Sequence, residues 1–221
     1  MKRVLMFKWS ILLLAVYLVA SLYLFFITPA QAMVPMHWNI KNQIDGWITR
    51  EAHLPLGIGL MVGIWAMIFL MPYYSPWYKN YGERNEKIMP GLANIMVICL
   101  GALNLYSQWV AYKGGEPEGV SVILIIIGVL MLGLGNLMPK IPKNYFMGIK
   151  TPWTLSHEDI WHRTHRLGGL LFFLSGLLLI VKGFISSSYG LFHLISAIVA
   201  LVMLLYPLPY SFLLYKKLGK S

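Results

Sequence analysis

Long apolar runs alternate with short polar segments along this chain. Six of the runs approach the length of about 20 mainly apolar residues that a helix needs to cross a bilayer. They cover residues 9–27, 54–71, 91–112, 120–138, 167–185 and 189–206, and the last continues toward residue 214. Pro207 and Pro209 follow the sixth run, and since proline lacks a backbone donor the helix should kink or end there. The pattern predicts an all-α, polytopic membrane protein with six transmembrane helices.

The composition supports a membrane protein. Of 221 residues, 58% are hydrophobic and 12% are charged, whereas a soluble domain carries about 25% charged residues. The net charge of +10 comes from basic residues scattered between the apolar runs, so we expect no direct contact with nucleic acid. The single cysteine, Cys99, excludes an intramolecular disulfide.

The basic residues predict the orientation. Most of the 18 Lys and Arg lie at the two ends of the chain and in the segments after the second and fourth runs. Basic residues concentrate in cytoplasmic loops, so both termini are predicted to be cytoplasmic. The first 32 residues also resemble a secretory signal ending in Ala30-Gln31-Ala32. Their apolar run is longer than the usual 7–15 residues or so, and we therefore favour an uncleaved first helix in a multi-pass protein of the cell membrane.

The runs suggest two regions. Residues 1–72 form an N-terminal two-helix module with an extracellular loop at 28–53. Residues 73–221 form a four-helix region with a cytoplasmic loop at 139–166. The extracellular loop contains turn residues, among them Asn42, and resembles a module of unknown function found in bacterial membrane proteins. The residues that carry this resemblance are Pro35, His37, Trp38, Asn39, Asp45, Trp47 and Arg50. The loop is either a Trp-anchored structural element or a receptor-like surface.

Polar residues interrupt the apolar runs. Asn94, Asn104 and Gln108 fall on one face of the third predicted helix together with Gly101. Such a face either packs against another helix or lines a ligand groove. Glycines in the second and fourth runs indicate close helix packing. They are Gly57, Gly59, Gly63, Gly128 and Gly135.

The polar segment between the fourth and fifth runs begins a helix. Ser156 and Asp159 form a capping-box pattern, which predicts a helix start near His157. Helical spacing then places Trp161 on the membrane face and His165 on the water face. The spacing of the histidines does not fit His-Glu-x-x-His, and no nucleophile–base set is present. We therefore expect a protein that is not an enzyme and that carries no cofactor or metal.

The same segment, read from residue 144 as NYFMGIKTPWTLSHEDIWHRTHRLGG, resembles the signature of the SdpI/YfhL family. One departure is Lys150, where the family usually has Arg, so the charge is kept and the bidentate fork is lost. The candidate site residues carried by the resemblance are Asn144, Gly148, Lys150, Thr151, Pro152, Trp153, Thr154, Trp161, His165 and Arg166.

The resemblance implies a bacterial membrane protein with two roles. It would protect the cell from a membrane-active toxic peptide met at the outer face, and it would sequester a cytoplasmic repressor through the inner loop. Alternatively, the tryptophans only seat that loop in the lipid interface. A rival function is a transporter or flippase of an amphiphilic small molecule or lipid that uses the amide face as a groove.

Overall fold

The computed structural model describes residues 2–39, 43–76, 78, 81–115, 121–185 and 190–218. Six helical segments within these residues are long and apolar enough to cross a membrane, which confirms the predicted all-α polytopic fold. A short 3-10 turn, Met138–Lys140, continues the fourth span. The elements are α1 (Lys2–Met6), α2 (Lys8–Ile27), β1 (Met33–Trp38), β2 (Ile44–Thr49), α3 (Arg50–Tyr74), α4 (Gly82–Lys113), α5 (Val122–Leu137), α6 (Pro152–Ser156), α7 (Glu158–Phe184), α8 (Gly190–Leu205) and α9 (Pro207–Leu218).

The loop at 28–53, which we call the outer loop after its predicted extracellular side, is a β-hairpin, an element that the sequence analysis did not predict. Strands β1 and β2 pair antiparallel, with Met33 opposite Thr49 and Trp38 opposite Ile44. Val34 and Pro35 are buried, and the Trp38 ring lies 6.0 Å from that of Tyr106 on α4. The hairpin therefore packs on the helix bundle. The predicted turn at Asn42 lies outside the described residues.

Helices α5 and α7 meet along a seam of glycines, which we call the glycine seam: Gly128 and Gly135 on α5, and Gly169 and Gly176 on α7. A Cβ placed on Gly128 would lie 2.7 Å from the carbonyl oxygen of Gly176, and one on Gly135 would lie 2.6 Å from that of Gly169. The two backbones approach closely because neither side carries a side chain there. The predicted packing role of Gly128 and Gly135 agrees with these distances, whereas it is wrong for Gly59 and Gly63, where an added Cβ would meet nothing within 4 Å.

Proline removes a helical hydrogen bond within α3 and begins a new helix after α8, and at the first of these places an arginine supplies the missing donor. Pro72 of α3 cannot donate to the carbonyl of Ile68. The Arg3 guanidinium donates instead to the carbonyls of Ile68 (3.5 Å) and Phe69 (2.8 Å), and to the Tyr78 hydroxyl (3.1 Å). This arginine ties the start of the chain to α3. At the other end, α8 stops at Leu205 and α9 begins at Pro207, so the predicted break there is confirmed.

The glycine seam predicts that Gly128→Ala destabilises the protein. The added methyl group meets backbone on α7 and forces the helices apart, and overpacking of this kind typically costs about 1–3 kcal/mol. Gly63→Ala is the matched control, since a Cβ at this position of α3 meets nothing within 4 Å. Denaturant unfolding of the purified protein in micelles measures both variants. Equal stability of the two variants would contradict a tight seam.

Candidate functional site

Asn144 shapes the start of the loop at 139–166, which we call the inner loop after its predicted cytoplasmic side. Its Oδ1 accepts the backbone N–H groups of Phe146 and Met147, each at 2.8 Å, and its Nδ2 donates to the carbonyl of Pro142 at 2.8 Å. The side chain is buried, and these bonds satisfy groups that a turn leaves unpaired. Asn144 therefore fixes the path of the chain after the 3-10 turn.

Trp161 and His165 form the buried centre of the inner loop, and both have no exposed surface. Their rings stack with centroids 3.9 Å apart. The Trp161 indole N–H donates to the carbonyl of Ile141 at 2.9 Å. The backbone N–H of Ile149 donates to His165 Nε2 at 3.0 Å. Because an N–H can only donate, Nε2 is the acceptor, and Nδ1 carries the hydrogen that bonds the Trp161 carbonyl at 2.8 Å.

Gly148 permits the contact between the loop and His165. Its φ is +100°, a conformation that residues with a Cβ rarely adopt. A Cβ at this position would also lie 2.2 Å from His165 Nε2. Glycine therefore satisfies two requirements here, the backbone angle and the close approach of the ring.

Thr151 and Thr154 cap the short helix α6. The Thr154 backbone N–H donates to Thr151 Oγ1 at 3.2 Å, and the Thr151 N–H donates to Thr154 Oγ1 at 2.9 Å. Pro152 occupies the first helical position, where its missing N–H costs nothing. This reciprocal arrangement is a capping box, and the sequence analysis missed it.

The predicted capping box at Ser156 and Asp159 is wrong. Helix α7 begins at Glu158, as expected, but His157 occupies the capping position and makes no side-chain capping bond. The Ser156 hydroxyl instead donates to the carbonyl of Trp153 at 3.0 Å, within the end of α6. The short helix α6, which lies directly before α7, therefore includes Ser156, the residue to which the pattern assigned the capping role.

Trp153 joins the inner loop to α9. Its indole N–H donates to the hydroxyl of Ser211, and the Thr151 hydroxyl lies 3.2 Å from the same oxygen. Ser211 is fully buried. The Trp153 ring also lies 5.0 Å from the ring of Phe212. Two loop residues therefore converge on one serine of the last helix.

The burial of the signature residues corrects their predicted orientation. His165 does not face water and Trp161 does not enter the lipid interface, because the loop folds back over α7 and encloses both rings. Lys150 remains exposed and donates to the carbonyls of Tyr145 and Phe146, each at 3.2 Å. These contacts do not need the planar, bidentate guanidinium group of an arginine. The buried members are Asn144, Thr151, Thr154, Trp161 and His165, and the exposed ones are Gly148, Lys150, Pro152 and Arg166.

The outer-loop residues come together in the hairpin. His37 Nδ1 lies 2.5 Å from Asp45 Oδ1 across the two strands. Asn39 Nδ2 donates to the side chain of Gln43 at 3.2 Å, which closes the same end. Trp47 is exposed. Polar pairs therefore hold the strand ends together.

Arg50 connects the hairpin to α2. Its guanidinium donates to the carbonyls of Phe25 and Thr28, at 3.1 and 2.5 Å, and to Glu51 Oε1 at 2.7 Å. Carbonyls at the end of a helix lack helical donors and attract positive charge. Arg50 therefore fixes the hairpin against the end of the first span.

An open cavity of about 520 Å³ lies between the hairpin and helices α3, α4 and α5. Asn104 lines it. Asn104 Oδ1 accepts the Ser21 hydroxyl at 2.9 Å and the Gln108 amide at 2.6 Å. The amide face therefore packs α2 on α4 and also reaches a cavity. Asn94 is not among the lining residues.

His53 also lines this cavity, and the sequence analysis missed it. It is 4% exposed, and its Nδ1 has no hydrogen-bond partner among the described residues. Helix α3 starts at Arg50, earlier than the apolar run. The sequence analysis therefore placed His53 in the extracellular loop. Its position one helical turn before Gly57 could have shown that it belongs to the helix.

Six spans with a packed outer hairpin and a folded inner loop define a multi-pass helical membrane protein. Residues 140–211 match the SdpI/YfhL protein family, which confirms the family resemblance. The chain is also 24% identical to the immunity protein SdpI of Bacillus subtilis (strain 168) over 212 residues. That similarity covers 96% of this chain and 97% of the relative. Comparison with solved structures gave no significant match.

The inner-loop geometry predicts that Gly148→Ala loosens the loop. A left-handed conformation costs a residue with a Cβ about 1–2 kcal/mol, and the methyl group displaces His165 from the Ile149 N–H. Hydrogen exchange of the Ile149 amide should accelerate on the order of tenfold or more. Gly114→Ala is the control, since Gly114 has a φ of +67° but open space around its Cβ. Unchanged exchange at Ile149 in Gly148→Ala would contradict the assigned contact.

Proposed function

We propose that this protein protects a bacterial cell from a membrane-active toxic peptide. The observation that carries the proposal is the similarity to an immunity protein along nearly the whole of both chains. The family match, at residues 140–211, includes the inner loop together with α7, α8 and the start of α9. A similarity of that extent includes the outer hairpin, the spans and the inner loop together.

In this proposal the peptide is met at the outer face. The hairpin presents exposed groups there, including Met36, His37 and Trp47. Behind it lies the cavity that Asn104 lines. An apolar peptide that partitions into the outer half of the bilayer would encounter both surfaces. This contact would divert the peptide from its target in the membrane.

The inner loop would carry a second, finer role, the recruitment of a cytoplasmic repressor. Its buried half fixes the fold, and its exposed half combines Lys150, Pro152 and Arg166 with the nearby Arg163. Glu158 and Asp159 are also exposed on this loop, but with three basic side chains against two acidic ones we expect it to dock on an acidic patch of the partner. The protein would act without catalysis and without direct contact with nucleic acid.

The transporter alternative receives less support. A lined groove needs polar groups that are free to meet a substrate, but Asn104 Oδ1 is bonded to both Ser21 and Gln108. Such bonds between helices favour packing. The charged residues in the described parts of the six candidate spans also lie in the first or last third of each helix, away from the middle of the span where charged residues mark ion pathways in membrane proteins.

Protection against the peptide should depend on the anchor between Trp153 and Ser211. Trp153→Ala removes the indole ring that packs against α9 and leaves the Ser211 hydroxyl without that donor. The inner loop should then shift away from α9. We expect survival of a Bacillus strain lacking its own immunity protein to fall to the empty-vector level after challenge with the SDP killing-factor peptide, the membrane-active toxin that the resemblance to the SdpI/YfhL family implies. Survival is compared at matched membrane levels of the two proteins.

Two further variants sharpen this test. Ser211→Ala keeps the helix but removes the acceptor, so it should also reduce protection. Trp9→Ala is the matched control, since Trp9 is an exposed tryptophan near the same end of the bundle. Full protection by Trp153→Ala would refute a functional inner loop. Absence of protection by the unaltered protein would refute the immunity function against this peptide.

A further inference from the structure

The cavity behind the hairpin has an accessible wall on α3. Leu56 and Leu60 line it, and they are 49% and 55% exposed. Both residues lie within the candidate span Arg50–Tyr74. In a bilayer, the surroundings of a span at this depth are hydrocarbon chains. The molecules that can reach this wall from the side are therefore lipids.

The cavity extends about as far as one half of a bilayer. A helix rises about 1.5 Å per residue. Leu60 lies ten residues after Arg50, so it is about 15 Å from the hairpin end of α3. On α4, Leu100 lies 13 residues before Lys113, or about 20 Å from the corresponding end. Since the hydrocarbon core is about 30 Å thick, this depth fits a chain from one leaflet.

The chemistry of the wall suits hydrocarbon. No Lys, Arg, Asp or Glu is among the described residues that line the cavity. Its volume of about 520 Å³ lies in the range of ligand pockets, roughly 300–1,000 Å³. Apolar cavities stay dry and accept apolar ligands. Six lining residues, spread over all three helices, are leucine or isoleucine: Leu56, Leu60, Leu100, Leu103, Ile123 and Ile127.

The unpartnered polar atoms of the wall do not reach an occupant. His53 Nδ1 and Asn104 Nδ2 have no accessible surface. Gly57 covers the amide, since a Cβ placed there would lie 1.6 Å from Asn104 Nδ2. A peptide brings a backbone N–H and C=O with nearly every residue, and each needs a partner when it is buried. A hydrocarbon chain needs none, so the wall favours an acyl chain over a peptide.

We propose that the cavity binds one acyl chain of a phospholipid from the leaflet on the hairpin side. The chain lies between α3, α4 and α5 and ends near Leu60 and Leu100. The headgroup stays outside at the level of the hairpin, where Met36 and His37 border the cavity and are exposed. The site does not depend on the proposed function. A peptide that reached the hairpin would meet the cavity with this chain in place.

The test is photo-crosslinking with a phosphatidylcholine that carries a diazirine near the end of one acyl chain. The full-length protein is reconstituted in phosphatidylcholine nanodiscs that contain this probe, transferred to detergent micelles and irradiated. Detergent exchanges the lipids on the outer surface, and α8, with many exposed apolar side chains, reports on those lipids. We expect mass spectrometry to find the label retained on the cavity-lining segments of α3 and α4, about tenfold or more above α8.

A pair of matched variants tests the cavity itself. Leu60→Trp combined with Ile127→Trp places two indole rings in the cavity and should lower the retained label about tenfold. Val62→Trp combined with Val129→Trp makes the same kind of exchange on α3 and α5, at exposed positions that do not line the cavity. This control should keep the label. If the first combination does not insert, Leu60→Trp alone, at a half-exposed position, replaces it.

Three outcomes would overturn the proposal. The cavity and α8 could lose their label equally in micelles, which would mean ordinary surface lipid. The filled variant and its control could retain equal label. An acetylated and amidated hexapeptide of leucine, valine and serine, with one diazirine-modified leucine, could replace the lipid label in the cavity, which would make the occupant a peptide. The survival assay measures the immunity function separately from all three.

Discussion

The glycine seam between α5 and α7 is the contact on which the inner half of the molecule depends. Lipid tails are as apolar as leucine side chains, so helices in a membrane associate through close packing rather than burial from water. The absence of side chains at Gly128, Gly135, Gly169 and Gly176 permits that packing. The seam places the end of α5 beside the first half of α7, and the connecting loop must then fold between two fixed points. The last glycine of the signature, Gly169, belongs to the seam itself.

The signature loop combines residues that make its fold with residues that can meet a partner. Asn144, Thr154 and His165 are buried and bonded within the loop or to α7. Substituting them would alter the loop shape before it altered any docking contact. Lys150 and Arg166 are exposed, and only such side chains can bind another protein directly. Most residues of the signature therefore determine the conformation of the loop. A smaller number form the exposed surface that this conformation presents to a partner.

Local patterns predicted the spans and the break at Pro207, because hydropathy and the missing proline donor act within a few residues. They did not predict the hairpin, since Pro35 interrupts its first strand and the pairing is supported by burial against α4. The orientation of His165 was also wrong. Helical spacing separates one face of α7 from the other, but it does not show that the loop covers the polar face. His53 was missed because α3 extends beyond its apolar run. Each error concerns contacts between segments distant in sequence.

The outer cavity and the inner loop share a structural element, which gives the two proposed roles a physical connection. Ile123 and Ile127 of the cavity wall lie on α5, and Gly128 of the glycine seam directly follows Ile127. A helix responds to a local force largely as a rigid element, and the seam has no space in which α5 could slide past α7 without moving it. A peptide that displaced the cavity wall would therefore act on the helix pair that holds the signature loop. In the proposed function, the rigidity of the seam, more than any polar contact, is what would couple the two ends.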